Sequence, residues 1–152
     1  MKGNASVILT GLPSTSALPI MNNNAHTAPV TLNPTGLATP GGHYSHVAIG
    51  NGMVFISGQL PIDASGHKLT EASFEMQALQ VLANVEAALA GAGSDIGKLL
   101  QVRIYLTDVA HWPAFNDIYA RWAGSARPAR AVVPVPALHF GLQVEVEATA
   151  LL

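Results

Sequence analysis

The sequence contains no cysteine and little charge. Without cysteine it can form no disulfide, thiolate nucleophile or Cys-ligated metal site, which fits a reducing cytoplasm. Only 11% of the 152 residues are Asp, Glu, Lys or Arg, less than half of the roughly 25% in an average soluble domain. The net charge of −2 offers no basic footprint for nucleic acid. No apolar run reaches the roughly 18 residues of a membrane span. These absences argue against nucleic-acid and membrane partners.

Motifs for bound metals, nucleotides and covalent catalysis are also missing. His43 and His46 lie three residues apart, but no helical His-Glu-x-x-His pattern or third ligand accompanies them. No Gly-x-Gly-x-x-Gly or phosphate-loop pattern occurs, and no nucleophile elbow surrounds a serine. We therefore expect no metal and no cofactor. If the protein is an enzyme, we expect acid–base chemistry with water.

Hydrophobic residues make up 49% of the sequence. That fraction excludes disorder over most of the chain, and the length suits one domain. With so few charges, one protomer cannot easily hide all of its apolar surface. We therefore expect a cytoplasmic oligomer.

The N-terminal region differs from the rest of the chain. The first 40 residues contain five prolines and a single charge, Lys2. This composition predicts an irregular N-terminal extension over residues 1–32, with a short strand at residues 6–10. The domain itself is predicted to span residues 33–152.

Apolar periodicity in the domain predicts the order β-β-α-β-α-β-β. Strands at residues 46–49 and 53–57 flank Gly50-Asn51-Gly52, a strong hairpin signal. Thr70 is a fair N-cap for the first helix. The later elements are a helix at 71–90, a strand at 99–107, a helix at 113–123, and strands at 131–135 and 142–151. We expect an α+β fold with a mixed sheet and both helices on one face. The other face then needs a second chain to cover it.

Charged residues at two places in the sequence are candidates for chemistry. Arg130 lies close to a strand start, and an arginine fork can hold a carboxylate through two parallel hydrogen bonds. The alternative is a solvated arginine or a simple ion pair. Glu145 and Glu147 share one strand face. A carboxylate there could orient water or move protons if the face meets a subunit, and is otherwise an ordinary surface group.

Polar residues at three further places could contact a ligand. Gly58 follows Ser57 at the end of an apolar strand, and a glycine there either admits a ligand or only makes a turn. Tyr44 could hydrogen-bond in a site or pack in the core. Asn116, among the aromatic residues of the second helix, could contact a ligand or lie on the helix surface.

Seven motifs in order give the domain a family resemblance. Residues 33–152 resemble the RidA (YjgF-type) family of reactive-intermediate enamine/imine deaminases. The motifs are Asn33-Pro34, Gly42-His43-Tyr44-Ser45, Phe55-Ile56-Ser57-Gly58-Gln59-Leu60-Pro61, Val102-Arg103-Ile104-Tyr105-Leu106-Thr107-Asp108, Phe115-Asn116-Asp117-Ile118-Tyr119, Arg127-Pro128-Ala129-Arg130 and Val144-Glu145-Val146-Glu147-Ala148. The resemblance implies a chorismate-mutase-like protomer with a mixed β-sheet and two helices packed on one face. It also implies a homotrimer with a barrel-like core and ligand clefts between subunits.

The resemblance also implies an activity and a set of site residues. The reaction is hydrolysis of a 2-imino or enamine acid to the 2-keto acid and ammonia, with no cofactor. Arg130 would bind the substrate carboxylate and Glu145 would position the attacking water. The other positions that match family sites are Tyr44, Ser57, Gly58, Asn116 and Val132. Many members have proline in place of His43, a difference that changes the polarity near Tyr44. Many also have cysteine in place of Val132, so the pocket here is more apolar beside the arginine.

Two other functions stay open on the sequence. The low charge and the residues at His43 and Val132 would also suit a non-catalytic trimer that binds small carboxylates or acts like a chaperone. A ribonuclease or translation inhibitor, a label sometimes attached to this family, is disfavoured by the acidic balance.

Overall fold

A computed structural model describes residues 28–152. The strand predicted at residues 6–10, and most of the predicted extension, lie outside these residues. The described part contains eight main elements. They are β1 (Val30–Leu32), β2 (Val47–Gly50), β3 (Met53–Gln59), α1 (Phe74–Gly91), β4 (Leu99–Leu106), α2 (Trp112–Ala123), β5 (Ala129–Pro134) and β6 (Val144–Leu151).

The six strands form one mixed sheet in the order β1-β2-β3-β6-β4-β5. Only β4 and β5, the two strands joined through α2, run parallel; the other neighbours are antiparallel. The β2–β3 hairpin turns at Asn51 and Gly52, whose φ angles of 51° and 72° are both positive, as a type I′ turn requires. The predicted hairpin and mixed sheet are therefore confirmed.

Both helices pack on the same face of the sheet, as predicted. The apolar stripe of α1 is buried from Phe74 to Leu89, and Phe115 and Tyr119 anchor α2. These side chains meet the inward residues of the central strands, among them Val102, Ile104, Leu106, Val144, Val146, Ala148 and Ala150. Each fully buried Val, Leu or Ile contributes roughly 1.5–3 kcal/mol, so this layer supplies much of the stability.

The opposite face, which we call the open face, has no helix over it in residues 28–152. Glu145, Glu147 and Thr149 alternate with the buried residues of β6 and point to this face. Phe55 is 46% exposed there. Arg103 and Glu147 form an ion pair across β4 and β6, with 2.8 Å between Nη1 and Oε1. The alternation predicted for β6 is confirmed.

Two boundaries differ from the sequence prediction. The strand β1 lies inside the stretch predicted to be irregular, because three residues are too few for an alternating pattern to be recognised in the sequence. The first helix begins at Phe74 and not at residue 71. Ser73, and not Thr70, is its N-cap, since its Oγ accepts a hydrogen bond from the Met76 amide at 3.3 Å.

Two of the predicted strands also differ in detail. A register shift between Leu99 and Gln101 leaves Leu100 exposed, although the alternation predicts it to be buried. The strand predicted at residues 131–135 starts earlier, at Ala129. Arg130 therefore lies within β5 and not ahead of it.

Candidate functional site

The carboxylate of Glu145 lies directly against Gly58. A β-bulge sets Ser57 and Gly58 of β3 opposite the single residue Glu147 of β6. A Cβ on Gly58 would overlap Glu145 Oε1 and would lie only 3.1 Å from the carboxyl carbon. A side chain at position 58 would displace the Glu145 carboxylate, so glycine lets this carboxylate approach the backbone. The structure brings together Glu145, Gly58 and Ser57, which we call the Glu145 cluster.

The two glutamates of β6 have different environments. Glu147 is neutralised by Arg103, whereas Glu145 has no Lys or Arg within ion-pairing distance in residues 28–152. Burial raises the pKa of Glu145, His139 opposes this rise, and Glu147 adds to it slightly. A carboxylate with a raised pKa is a better proton acceptor near neutral pH. Of the two glutamates, Glu145 is therefore the one whose carboxylate is free to accept a proton.

A buried hydrogen-bond network supports Ser57. Its Oγ donates to the Ser45 carbonyl at 2.6 Å. Gln59 Nε2 donates to the Ser57 carbonyl at 2.9 Å and to His46 Nδ1 at 3.2 Å. His46 Nε2 lies 2.8 Å from the Ala38 carbonyl, and only the tautomer protonated at Nε2 satisfies both contacts. These bonds hold the bulge in place.

His46 and Gln59 are positioning residues that the sequence analysis missed. Both are buried and polar, and buried polar groups that are fully bonded specify local geometry. The sequence signal that could have pointed to them was a polar residue, Gln59, in an otherwise apolar strand motif. Tyr44 is 48% exposed and meets the His46 ring edge-on at 5.8 Å. Tyr44 therefore adjoins Ser57 indirectly, through the Ser45 carbonyl and through His46.

Arg130 belongs to a second group of residues, which we call the Arg130 cluster. Its Nη2 donates to Asn116 Oδ1 at 3.0 Å, and its guanidinium lies 4.8 Å from the centre of the Tyr119 ring. Val132, two residues along β5, packs against the core beside them. No Asp or Glu lies within ion-pairing distance of Arg130 in the described part of the chain. The guanidinium is oriented on one side and keeps donors for a ligand.

The two clusters lie on opposite faces of the sheet. Arg130 of β5 pairs with Val102 of β4, and Val102 pairs with Ala148 of β6. Ala148 lies three residues along β6 from Glu145. Two strand spacings and three residue rises separate the Cα atoms of Arg130 and Glu145 by about 14 Å. Glu145 points to the open face, and Arg130 points to the helix side. One protomer therefore does not bring its two predicted catalytic residues together.

A family model described as Endoribonuclease L-PSP matches residues 36–152. The chain belongs to this family, the RidA (YjgF-type) family. A 2-iminobutanoate/2-iminopropanoate deaminase of Capra hircus is 35% identical over 109 residues, which cover 72% of this chain and 80% of that protein.

Solved structures in the RidA family show the same fold. The Rid family protein YyfA from Yersinia pestis has a TM-score of 0.79 at 35% identity, covering 82% of this chain and 100% of that one. E. coli TdcF with bound serine has a TM-score of 0.76 at 26% identity, covering 81% and 98%. The predicted family and fold are confirmed.

No helix in the described residues is long and apolar enough to cross a membrane. Residues 28–152 contain no group of three or more His, Asp or Glu side chains that could hold a metal ion.

Proposed function

We propose that the protein is a cytoplasmic hydrolase that deaminates reactive 2-imino and enamine acids to 2-keto acids and ammonia. The observation that carries the proposal is Arg130. It is held by Asn116 and Tyr119, and it has no acidic partner in residues 28–152. An oriented guanidinium with free donors suits a carboxylate better than a solvated surface arginine would.

A substrate whose carboxylate binds Arg130 has its imine carbon next to the Arg130 cluster. Two parallel N–H···O bonds fix the carboxylate plane, so the adjacent C2 atom has a defined position. The Capra hircus relative is named for acting on 2-imino acids. The E. coli relative was solved with serine, which also carries a carboxylate beside its nitrogen-bearing carbon. Both names support an amino-acid-like ligand at this position.

Glu145 acts on water in this scheme. Its carboxylate accepts a proton from water as the oxygen adds to C2, which turns the C=N bond into a C–N bond. That proton passes from Glu145 to the nitrogen, which gives a carbinolamine with one hydroxyl and one amino group on C2. Glu145 then transfers the hydroxyl proton to the amino nitrogen, the C–N bond breaks, and ammonia leaves as the C=O bond forms. One water is consumed for each ammonia released, and Glu145 returns to its starting state.

The two clusters are combined across a subunit interface. Arg130 and Glu145 lie on opposite sides of one sheet, so a complete site takes the Arg130 cluster of one protomer and the Glu145 cluster of its neighbour. A homotrimer in which each open face meets a neighbouring chain has three such sites. The same assembly covers the apolar residues of the open face, including Phe55.

Substitution of Arg130 tests the proposal. Imines are generated in place by an amino-acid oxidase, and their hydrolysis is compared for wild type, Arg130→Ala and Arg121→Ala, a matched exposed arginine on α2. Loss of a charge-assisted bond worth about 1.5–3 kcal/mol should lower kcat/KM about 10- to 150-fold in Arg130→Ala alone. Equal rates in Arg130→Ala and wild type would refute the assignment. Carboxylate binding without turnover on any imine would instead favour the non-catalytic binding trimer.

A further inference from the structure

A cleft beside Arg130 contains a second arginine. Its volume is about 340 Å³, room enough for a small organic acid. The lining consists of Asn116, Tyr119, Ala120, Ala123, Ala126, Arg127, Pro128 and Arg130. It includes two positive charges and no acidic side chain, although the whole protein carries a net charge of −2. This is an unusual concentration of positive charge in a chain with only seven Lys and Arg residues.

Arg127 is oriented much as Arg130 is. Its Nη1 donates to the carbonyls of Gly124 at 2.7 Å and Ala126 at 2.9 Å, at the end of α2. Nη2 and Nε of Arg127 have no hydrogen-bond partner within residues 28–152. No Asp or Glu in those residues lies within ion-pairing distance of it. Two like charges that share a cleft repel one another, and an anion of matching charge offsets that repulsion.

Tyr119 on α2 also lines this cleft. Tyr119 is only 6% exposed, and its Oη has no hydrogen-bond partner in the described residues. A buried unpaired hydroxyl costs about 1–3 kcal/mol, and a carboxylate that entered the cleft and reached the Tyr119 Oη would offset this cost. Burial raises the pKa of Tyr119, which keeps the hydroxyl protonated and able to donate.

We infer that this cleft binds a dicarboxylic acid, with one carboxylate on Arg130 and the second on Arg127. The inference rests on the proposed function for the reacting group, so the preferred substrate class is a four- or five-carbon imino acid with a second carboxylate. Water adds at C2 as described above, releasing ammonia and the 2-keto dicarboxylic acid.

The spacing of the two arginines fits such a ligand. Their Cα atoms are three residues apart in the chain and therefore lie at most about 11 Å from each other. Both flexible side chains lie along one cleft, so their guanidinium groups can reach the two ends of a five-carbon diacid. A monocarboxylic imino acid would leave Arg127 without an anionic partner. Selectivity then comes from a charged group left unpaired with the wrong ligand.

Binding of two non-reacting acids tests the ligand class directly. Isothermal titration calorimetry with the full-length protein compares 2-oxoglutarate with 2-oxobutanoate, which share their first carboxylate and keto group. Wild type should bind 2-oxoglutarate about tenfold more tightly or better. In Arg127→Gln the preference should fall close to one, and Arg127→Lys should restore part of it. Arg121→Gln, which removes an equal charge elsewhere on α2, should keep the full preference.

Several results would overturn the inference. One is wild-type binding of the two acids within about twofold. Another is an unchanged preference in Arg127→Gln, with folding checked by thermal melting. Loss of trimer in Arg127→Gln, with the preference intact in the remaining trimer, would assign Arg127 to a subunit contact instead.

A parallel assay separates this inference from the proposed function. Hydrolysis of 2-iminoglutarate and 2-iminobutanoate is measured with both imines generated by amino-acid oxidases. No turnover on either imine, together with a retained preference for 2-oxoglutarate, would refute the deaminase and support the dicarboxylate site. Turnover of both imines at equal kcat/KM would refute the dicarboxylate preference and support the deaminase.

Discussion

Mixing two inactive variants tests whether each site is built from two subunits. Arg130→Ala lacks the carboxylate-binding group, and Glu145→Gln lacks the proton acceptor. General-base catalysis contributes about 10²–10⁴-fold, so each homotrimer should be nearly inactive. When the two variants are unfolded together and reassembled, some sites should combine the intact arginine of one chain with the intact glutamate of the other.

The expected recovery of activity follows from the distance between the two residues and from the proportions in which mixed trimers form. Within one chain, about 14 Å and the thickness of the sheet separate Arg130 from Glu145, whereas a small imino acid spans about 5 Å. Equal amounts of the two variants give mixed trimers in about three-quarters of cases, and each mixed trimer has one intact site of three. The mixture should therefore recover about one quarter of wild-type activity.

The assay is keto-acid formation from an imine generated in place, with native mass spectrometry to count mixed trimers. In the control mixture, the double variant Arg130→Ala/Glu145→Gln takes the place of the single variant Glu145→Gln. This mixture contains no intact Arg130, so it should recover no activity. Mixed trimers that form in the expected proportion and stay as inactive as their parents would refute a site shared between subunits.

Three further predictions concern single residues. Burial raises the pKa of Glu145 and so penalises its ionised form in the folded state. Calorimetry of Glu145→Gln should therefore show a higher Tm than wild type at a pH above the raised pKa. This gain in Tm should vanish as the pH falls below the ordinary pKa of glutamate. A gain in Tm that grows in acid would contradict the prediction. Gly58→Ala should cost about 1–3 kcal/mol in stability and most of the activity, because its Cβ overlaps the carboxylate, while Gly50→Ala, with nothing within 4 Å of its Cβ, should melt and turn over like wild type. Asn116→Ala should raise KM about 2- to 10-fold by loosening Arg130, and an unchanged KM would show that this hydrogen bond does not orient the arginine.

Local periodicity was enough to predict the main elements of the fold. The stripe from Phe74 to Leu89 and the alternation of β6 each repeat over several turns or residues, so packing follows from pattern. The short strand β1 shows no such repeat. It exists because its backbone pairs with β2, a contact that depends on residues far along the chain.

The sequence was enough to predict which residues belong to the candidate site, but not how these residues are arranged in space. The resemblance indicated Glu145, but the availability of Glu145 over Glu147 depends on an ion pair with Arg103 across two strands. The His46–Gln59 bond likewise depends on the register of a hairpin. In the sequence, His46 was notable only as half of an unlikely metal pair. Such contacts join residues that no local pattern relates.

The separation of Arg130 from Glu145 follows from strand parity. Glu145 points to the open face because Val144 and Val146 are buried under the helices, and side chains alternate along a strand. Arg130 shares the face of Val132, which packs inward, so it leaves the sheet beside α2. No rotamer change can move either side chain through a hydrogen-bonded sheet. If both residues act on one substrate, the protomer is only half an enzyme, and assembly must come before catalysis.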